Sequence, residues 1–320
     1  MMGYYISKRF CSMLLVIFVV SVFTFLLIHM APGDARIMMA MSRFGNDITP
    51  EQIEWIGKEM GLSAPVHVQY VIWLGHLFSG DLGNSIRSDQ TVVSELLTHL
   101  PATLELGLTG FVVSLLIALP LGITAAVKQN SAFDNGVMMG SIFFISLPGF
   151  WLALLLILLF SVKLGLLPVC GRGTIAHMVL PVTVLALGMA ATTTRLTRTC
   201  MLEVLRQDYI LAARGKGLPE KLVIWRHALK NALVPIATYS GIKLARTFQV
   251  TVIIETIFAW EGIGKLMVDA CFARDFPMIQ GCVLLVSGVF VLANFGVDIM
   301  YMYLNPRIRF MAEGRRSNLA

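Results

Sequence analysis

The sequence predicts an all-α membrane protein with six transmembrane helices and a helical external loop after the first helix. Three observations predict this fold class. Of 320 residues, 57% are hydrophobic and only 14% are charged, and the mean hydropathy is +0.77. A soluble domain carries about 25% charged residues, because its surface must be hydrated. Six apolar stretches approach or exceed the length of about 20 residues with which a helix crosses the hydrocarbon core.

The first predicted span covers residues 10–30 and carries no charged residue. It is longer than the apolar region of a cleaved signal peptide, and no small-x-small cleavage site follows it. We therefore expect residues 1–30 to form an uncleaved anchor helix. The other spans lie in a core of residues 101–304, followed by a tail of residues 305–320; they cover 104–127, 137–162, 178–194, 233–257 and 278–304.

The lysine and arginine residues predict the orientation. Placing both chain termini in the cytoplasm puts most of these residues inside, and cytoplasmic loops normally carry such an excess. This distribution explains the net charge of +6. Nucleic-acid binding is not indicated, because the basic residues are not interleaved with aromatic residues on a soluble segment.

The external loop, residues 31–100, contains two predicted short helices. Thr49, Pro50 and Gln52 form the signature of a helix start, with a capping box and a proline in the first turn. This helix is expected to reach Met60 and stop at Gly61. A second amphipathic stretch covers residues 66–78. We expect the two helices to form a cap over the outer end of the bundle.

The cytoplasmic loop of residues 195–235 is strongly basic and carries an ordered pattern of small residues. Ala212 and Ala213 are followed by Gly217, and a second short helix is predicted over residues 220–231. A small-residue helix before a glycine turn forms a compact knob that another protein can clasp, because small residues allow close approach. Taken by its charge alone, such a loop indicates only topology.

This loop resembles the EAA loop of the permease subunits of ABC importers, nearest to the dipeptide, oligopeptide and nickel branch. The resemblance rests on Ala212-Ala213-x3-Gly217 and on Arg226-His227-Ala228-Leu229-Lys230-Asn231, with Leu211 in place of the usual glutamate. It implies a coupling helix that docks into a cleft of an ATPase subunit. The residues assigned to this coupling loop are Tyr209, Ala212, Ala213, Gly217, Leu218, Arg226, His227 and Asn231.

Other stretches extend the resemblance along the chain. They are residues 49–85, 101–106, 255–264, 274–280 and 305–309. One departure is Glu261, where the family often has a proline, so the rigidity of that turn is in question. The resemblance implies a multi-pass protein of the bacterial inner membrane. It also implies a homologous second permease, two ABC ATPases that bind ATP and magnesium, and an external substrate-binding protein.

The function implied is that of a permease subunit of an ATP-driven ABC importer, forming part of the translocation path. The substrate is a short peptide or nickel, the latter as a metal chelate. The turn Phe258-Ala259-Trp260 leans toward nickel, whereas the absence of a histidine or cysteine ligand set leans against a bare ion. We expect no cofactor and no metal to be bound by this chain.

The chain is not expected to be an enzyme. Gly215-Lys216-Gly217 and Gly262-Ile263-Gly264-Lys265 both lack the spacing and the hydroxyl of a phosphate-binding loop, so ATP hydrolysis belongs to partner subunits. An intramembrane enzyme would need a nucleophile with a base, or paired acids, at one depth. By the predicted topology, the acidic residues of the spans lie near different faces of the membrane. A membrane scaffold or receptor is the other alternative.

Charged residues inside the spans are candidates for the substrate path. Lys243 and Arg246 lie three residues apart, hence on one helical face, near the middle of the fifth span. They must face the bundle interior or water, either in contact with substrate or as part of a buried structural network. Glu255 and Asp298 complete the candidate path. For Asp298, pairing with a basic residue is the alternative, and Glu105 is expected to have a structural role.

Overall fold

The structure, a computed structural model, describes residues 2–30, 36–37, 40, 44, 48–59 and 64–304. Over these residues the chain is helical, and the only β-structure described is one isolated bridge between Asn84 and Thr91. The helices in chain order are α1 Met2–Met30, α2 Pro50–Glu59, α3 Val66–Phe78, α4 Val92–Val127, α5 Ala132–Ser146, α6 Gly149–Leu156, α7 Ile175–Leu205, α8 Asp208–Gly215, α9 Glu220–Leu222, α10 Leu229–Ile257, α11 Ile263–Ala273 and α12 Phe276–Leu304; π-helical turns cover Ile157–Lys163 and Val223–Ala228.

Four helices of the described chain are long and apolar enough to cross a membrane, namely α1, α4, α7 and α12. The pair α5 and α6 makes a fifth span if it is counted as one. The remaining predicted span corresponds to α10, whose 29 residues are long enough but include Lys243, Arg246 and Glu255. The all-α membrane fold is confirmed. The number of apolar spans is four or five where six were predicted, because α10 carries these charges.

The third predicted span, residues 137–162, is not one straight helix. α5 ends at Ser146, and α6 begins after Pro148, with a bend of 100° between the two halves. Proline disfavours helical geometry in the residue before it, and Leu147 is accordingly extended. The prediction of a single unbroken helix here was wrong.

Two helices are longer than the apolar pattern predicts. α4 begins at Val92 because the Thr91 hydroxyl accepts a hydrogen bond from the Ser94 backbone N–H (3.4 Å), and Pro101 then lies inside the helix. α7 continues to Leu205, past the predicted end at residue 194. The apolar pattern marks the membrane-embedded part of a helix, and both helices extend beyond it.

The helices α4 and α7 form the centre of the bundle, and small residues bring them together. A Cβ atom on Gly122 of α4 would lie 2.5 Å from the Thr197 Cβ atom and 2.8 Å from the Thr194 carbonyl oxygen, so no other residue fits there. Two apolar clusters surround this contact. The outer cluster includes Leu106, Leu185, Ile254 and Trp260, and the inner cluster includes Met201, Ile210, Ala228 and Ile236.

The helix α2, the first of the two predicted in the loop after α1, begins as the sequence predicts. The Thr49 N–H donates to the Gln52 side chain (2.9 Å), and the Gln52 N–H donates to the Thr49 hydroxyl (3.3 Å), which is the predicted capping box. The expected stop at Met60 and Gly61 lies outside the described residues. So does the matching segment 305–309.

Candidate coupling and translocation site

The short helix predicted before Gly217 is present as α8, and its two faces differ. Ile210 and Ala213 are buried at 0% and 7% exposure and belong to the inner apolar cluster. Tyr209, Leu211 and Ala212 are exposed. Ala213 is therefore a packing residue of this chain, whereas Ala212 lies on the surface that a partner can contact.

The turn after α8 depends on Gly217. Its φ of +75° lies in the left-handed region, which costs other residues about 1–2 kcal/mol. Its N–H donates to the Arg214 carbonyl (2.9 Å). A Cβ atom at Gly217 would meet nothing within 4 Å. Within this chain, the glycine is required by the backbone conformation of the turn and not by crowding.

Two polar contacts hold α8 against the segment that follows it, one to α9 and one to α10. The Arg214 guanidinium donates to both carboxylate oxygens of Glu220 (2.6 and 3.1 Å). This pairing holds the pKa of Glu220 below its ordinary value, although burial opposes it. The Asn231 side-chain amide donates to the Tyr209 hydroxyl (3.0 Å). Tyr209 and Asn231, both assigned to the coupling loop, are thus in direct contact.

The second helix of the loop does not end at residue 231 as predicted. α9, the π-helical turn Val223–Ala228 and α10 follow one another without a break. Leu218 is partly buried against the inner cluster. Arg226 is exposed, and His227 is half-buried with its carbonyl accepting from Asn231 (2.9 Å). The coupling loop is therefore built directly onto the helix that carries Lys243 and Arg246.

A second polar tie near the coupling loop was not predicted. Asp134, at the start of α5, is 1% exposed and accepts two hydrogen bonds from Arg198 of α7 (2.5 and 2.7 Å). It also accepts from the Asn130 N–H (2.9 Å), and its own N–H donates to Ser131 (3.2 Å). The spacing of Ser131 and Asp134 is that of a capping box. That spacing is the signal that could have pointed to this residue.

The two basic residues of α10 occupy different environments. Lys243 is half-buried, with its Nζ atom 5.5 Å from the centroid of the Tyr239 ring, and Arg246 is exposed. Among the residues that the structure describes, neither forms an ion pair. Among the described residues, the Tyr239 ring is the one group seen to stabilise the charge of Lys243. Arg246 is open to whatever surrounds α10.

Glu255 does not fit the predicted transport path. It is 0% exposed, and its Oε2 atom accepts from the N–H groups of Gly264 (2.7 Å) and Lys265 (3.2 Å). The carboxylate thus closes the turn before α11. The same turn is fixed by Trp260, whose ring N–H donates to the Ala102 carbonyl (2.8 Å). The turn is held in this way without a proline at Glu261.

The other acidic residues of the spans are paired. Asp298 lies 3.1 Å from Arg9 of α1, so it contacts neither basic residue of α10. Glu105 accepts two hydrogen bonds from Arg172 (2.6 and 3.1 Å), and the Arg172 guanidinium lies 5.6 Å from the centroid of the Trp260 ring. Lys243 and Arg246 thus stand apart from Glu255 and Asp298, with which the sequence grouped them.

The described chain is a bundle of apolar helices with two basic residues in one span. That span continues without a break from a basic loop with an exposed small-residue helix, an arrangement that fits a membrane transport protein. The family described as binding-protein-dependent transport system inner membrane component matches residues 118–310. The N-terminal part of such membrane components matches residues 1–107. The chain belongs to this family of ABC importer permeases, as its sequence predicts.

Relatives match along almost the whole chain. The di/tripeptide transport system permease protein DppB of Pseudomonas aeruginosa is 39% identical, covering 95% of this chain and 98% of the relative. The oligopeptide transport system permease protein AppB of Bacillus subtilis is 37% identical, covering 97% and 100%. The dipeptide transport system permease protein DppB of Escherichia coli is 37% identical, covering 91% and 94%. This chain is accordingly a permease subunit and not an enzyme.

The fold has a solved counterpart. An inward-facing structure of the MetNI methionine ABC transporter matches with a TM-score of 0.55 and 21% identity, over 66% of this chain and 96% of that chain. This likeness supports the arrangement of the helices. The family and the apolar helices together make the chain a multi-pass protein of the bacterial inner membrane.

Proposed function

We propose that this chain forms one half of the translocation path of an ATP-driven importer of short peptides. The observation that carries the proposal is the unbroken connection between the coupling loop and α10. The same helical segment begins beside α8 and carries Lys243 and Arg246. A movement at the cytoplasmic surface is thereby delivered to the middle of the membrane.

The surface around α8 fits an ATPase partner. Tyr209, Leu211 and Trp225 are 43%, 56% and 57% exposed, although they belong to a loop assigned to the cytoplasm. Exposed apolar groups of this kind mark protein–protein contacts. In the proposed assembly two ATPases bind ATP and magnesium, each contacting one permease. The second permease is homologous to this chain, both chain termini are cytoplasmic, and an external binding protein delivers the substrate.

Lys243 and Arg246 are proposed to contact the substrate. Two like charges about 6 Å apart repel by roughly 3 kcal/mol at an effective dielectric of 20. Since no acidic residue of the described chain pairs with them, water or an anionic ligand must stabilise them. A short peptide ends in a carboxylate, which supplies that charge. The peptide names of the relatives support this substrate over a nickel chelate.

Uptake measurements test this function. A strain lacking the gene is supplied with the wild-type chain or with Ala212→Arg, which places a bulky charge on the exposed face of α8. The wild-type chain is expected to restore uptake of labelled dipeptides and tripeptides. Ala212→Arg is expected to insert normally and to lose both uptake and co-purification of the ATPase. Restored nickel uptake without peptide uptake would contradict the proposed substrate.

A further inference from the structure

The helix α3, predicted to be amphipathic, is mainly apolar, yet none of its residues is buried. Its sequence, VHVQYVIWLGHLF, contains no lysine, arginine, aspartate or glutamate. Val71 is 66% exposed and Phe78 is 84% exposed. A helix that is hydrophobic all round is normally covered by protein or by lipid. Within the described chain, nothing covers this outer face.

Contacts with α1 place α3 at the depth of the membrane. The Tyr70 hydroxyl lies 2.9 Å from the Ser21 hydroxyl. The Phe25 ring centroid lies 5.3 Å from that of Tyr70 and 5.7 Å from that of Trp73. Ser21 and Phe25 belong to the uncharged stretch of α1, residues 10–30. The inner face of α3 therefore packs against the part of α1 that crosses the bilayer.

The depth of this contact follows from the proposed orientation, in which the N-terminus is cytoplasmic. Arg9 precedes the uncharged stretch of α1, near the cytoplasmic edge of the membrane. Ser21 lies twelve residues further on, or about 18 Å along the helix axis. The hydrocarbon core is about 30 Å thick. The contact between α1 and α3 thus falls in the outer half of the bilayer, below its outer edge.

The exposed face of α3 adjoins an apolar surface of α1. Phe18 and Phe23, which flank the Ser21 contact along α1, are 56% and 61% exposed. This part of α1 is a membrane span, so its exposed apolar side chains face lipid. The exposed face of α3, packed beside it at the same depth, meets the same surroundings.

The polar side chains of α3 are compatible with this position. The Gln69 amide donates to the Ala64 carbonyl (2.7 Å), and Tyr70 is bonded to Ser21. His67 and His76 lie in the first and last turns, where they can reach the interface, and His76 lies 3.3 Å from Asp81. The middle of the helix therefore carries no unpartnered polar group into the bilayer.

The neighbouring helix α2 has the opposite character. It carries Glu51, Glu54, Lys58 and Glu59, and Glu54 and Lys58 form an exposed ion pair (3.4 Å). Trp55 is its largest exposed apolar residue. Such a helix belongs in water. The two helices of the external loop therefore fit different surroundings, lipid for α3 and water for α2, although the sequence predicted that they form one cap.

We propose that α3 is embedded in the outer leaflet of the bilayer, with Val71, Ile72 and Phe78 against phospholipid acyl chains. The helix anchors the external loop to the membrane beside α1. α2 remains in water, where an external binding protein docks. The proposal concerns the position of α3; it rests on the proposed orientation of the chain and is independent of the substrate.

Spin-label accessibility tests the proposal in the assembled transporter, purified and returned to vesicles of phosphatidylethanolamine and phosphatidylglycerol. The exposed cysteines Cys11, Cys170 and Cys271 are first replaced by serine. Nitroxides are then placed by Val71→Cys on α3 and, as the matched control, by Glu54→Cys on α2. Oxygen, which partitions into lipid, and nickel-EDDA, which stays in water, are the relaxing agents. Phe78→Cys is a second position on α3 in case Val71→Cys lowers expression.

The label on α3 is expected to collide several-fold more often with oxygen than with nickel-EDDA, and the label on α2 to show the reverse. Equal nickel-EDDA access at both positions would overturn the proposal, because α3 would then be in water. Low access to both agents at the α3 position would also overturn it, because another protein would cover that face. A substitution of Val71 by lysine is further expected to reduce the amount of inserted chain more than Glu54→Lys does.

Discussion

The two ends of α10 are held in opposite ways. At the N-terminal end of α10, next to the basic loop, α8 is held by exposed polar pairs, Arg214 with Glu220 and Tyr209 with Asn231, and by a glycine turn with open space around it. At the C-terminal end of α10, Glu255 and Trp260 are buried and hydrogen-bonded to the backbone. The C-terminal end is therefore a fixed anchor of the bundle. At the N-terminal end, one face of α8 stays exposed among the described residues.

This difference indicates which substitutions should affect folding and which should affect transport. Buried hydrogen bonds and close-packed glycines tolerate little change, because interiors are packed densely. Exposed ion pairs are worth about 0–1 kcal/mol, so their loss leaves the fold intact. Substitutions at the C-terminal end of α10 should lower the amount of folded chain, whereas substitutions of exposed residues in the loop before α10 should lower uptake first.

The largest effect is expected from Gly264→Val, beside the C-terminal end of α10. A Cβ atom there would lie 2.5 Å from the Val252 Cα atom and 2.8 Å from the Glu255 Oε2 atom. Overpacking costs about 1–3 kcal/mol, and the displaced Glu255 carboxylate loses backbone hydrogen bonds as well. We expect a strong loss of inserted chain and a lower melting temperature in detergent. Gly288→Val, where a Cβ atom meets nothing within 4 Å, is the control and should behave as wild type. Equal melting temperatures for Gly264→Val and Gly288→Val would contradict the conclusion that this end of α10 anchors the bundle.

The next largest effect concerns the middle of α10. Replacing Lys243 and Arg246 together by methionine is expected to reduce peptide uptake by about tenfold, or about 1.4 kcal/mol, with abundance and melting temperature near those of wild type. The reason is that no acidic partner in the described chain depends on them. Adding Asp298→Asn should rescue nothing, since Asp298 pairs with Arg9. Recovery of uptake in that triple variant would show that the two basic residues belong to a structural network instead.

The sequence predicted the class of fold and the short helix before Gly217 well, because both depend on local pattern. Long uncharged runs mark spans, and Ala212, Ala213 and Gly217 lie within a few residues of one another. It did not predict that Ala213 is buried and Ala212 exposed. Which side of a short helix faces the core depends on Ile210 meeting residues from distant helices, and no single segment encodes that.

The charged residues within the spans show the same limit. Their positions indicated that each needs a partner, but not which one. Glu255 is stabilised by N–H groups nine and ten residues later, and Asp298 by Arg9 at the far end of the chain. Pro148 was visible within the third span, yet the 100° bend depends on what packs around it. Tertiary contacts decide these features.

A smaller effect is expected at the turn after α8. Gly217→Ala places a side chain at φ +75° and should cost about 1–2 kcal/mol locally. Gly215→Ala, two residues earlier in helical geometry and with open space around it, should be neutral or slightly stabilising. We expect normal insertion of both variants and reduced uptake only for Gly217→Ala. Equal uptake by the two variants would mean that the shape of this turn does not matter for coupling.

The smallest effect concerns the ion pair between Arg214 and Glu220. The pairing lowers the pKa of Glu220 in the folded chain. Its stabilisation is therefore fully present above the ordinary glutamate pKa of about 4.3 and is lost as the pH falls through the lowered value. Both side chains are well exposed, so the contribution is small.

Hydrogen-exchange protection of the Gly217 and Leu218 amides, corrected for intrinsic rates, measures this contribution. Protection is expected to be constant from pH 7 to about pH 5 and to fall only at more acidic pH. Glu220→Gln should show slightly lower protection that does not change over this range. A wild-type chain whose protection already falls between pH 7 and about 5 would contradict the lowered pKa of Glu220.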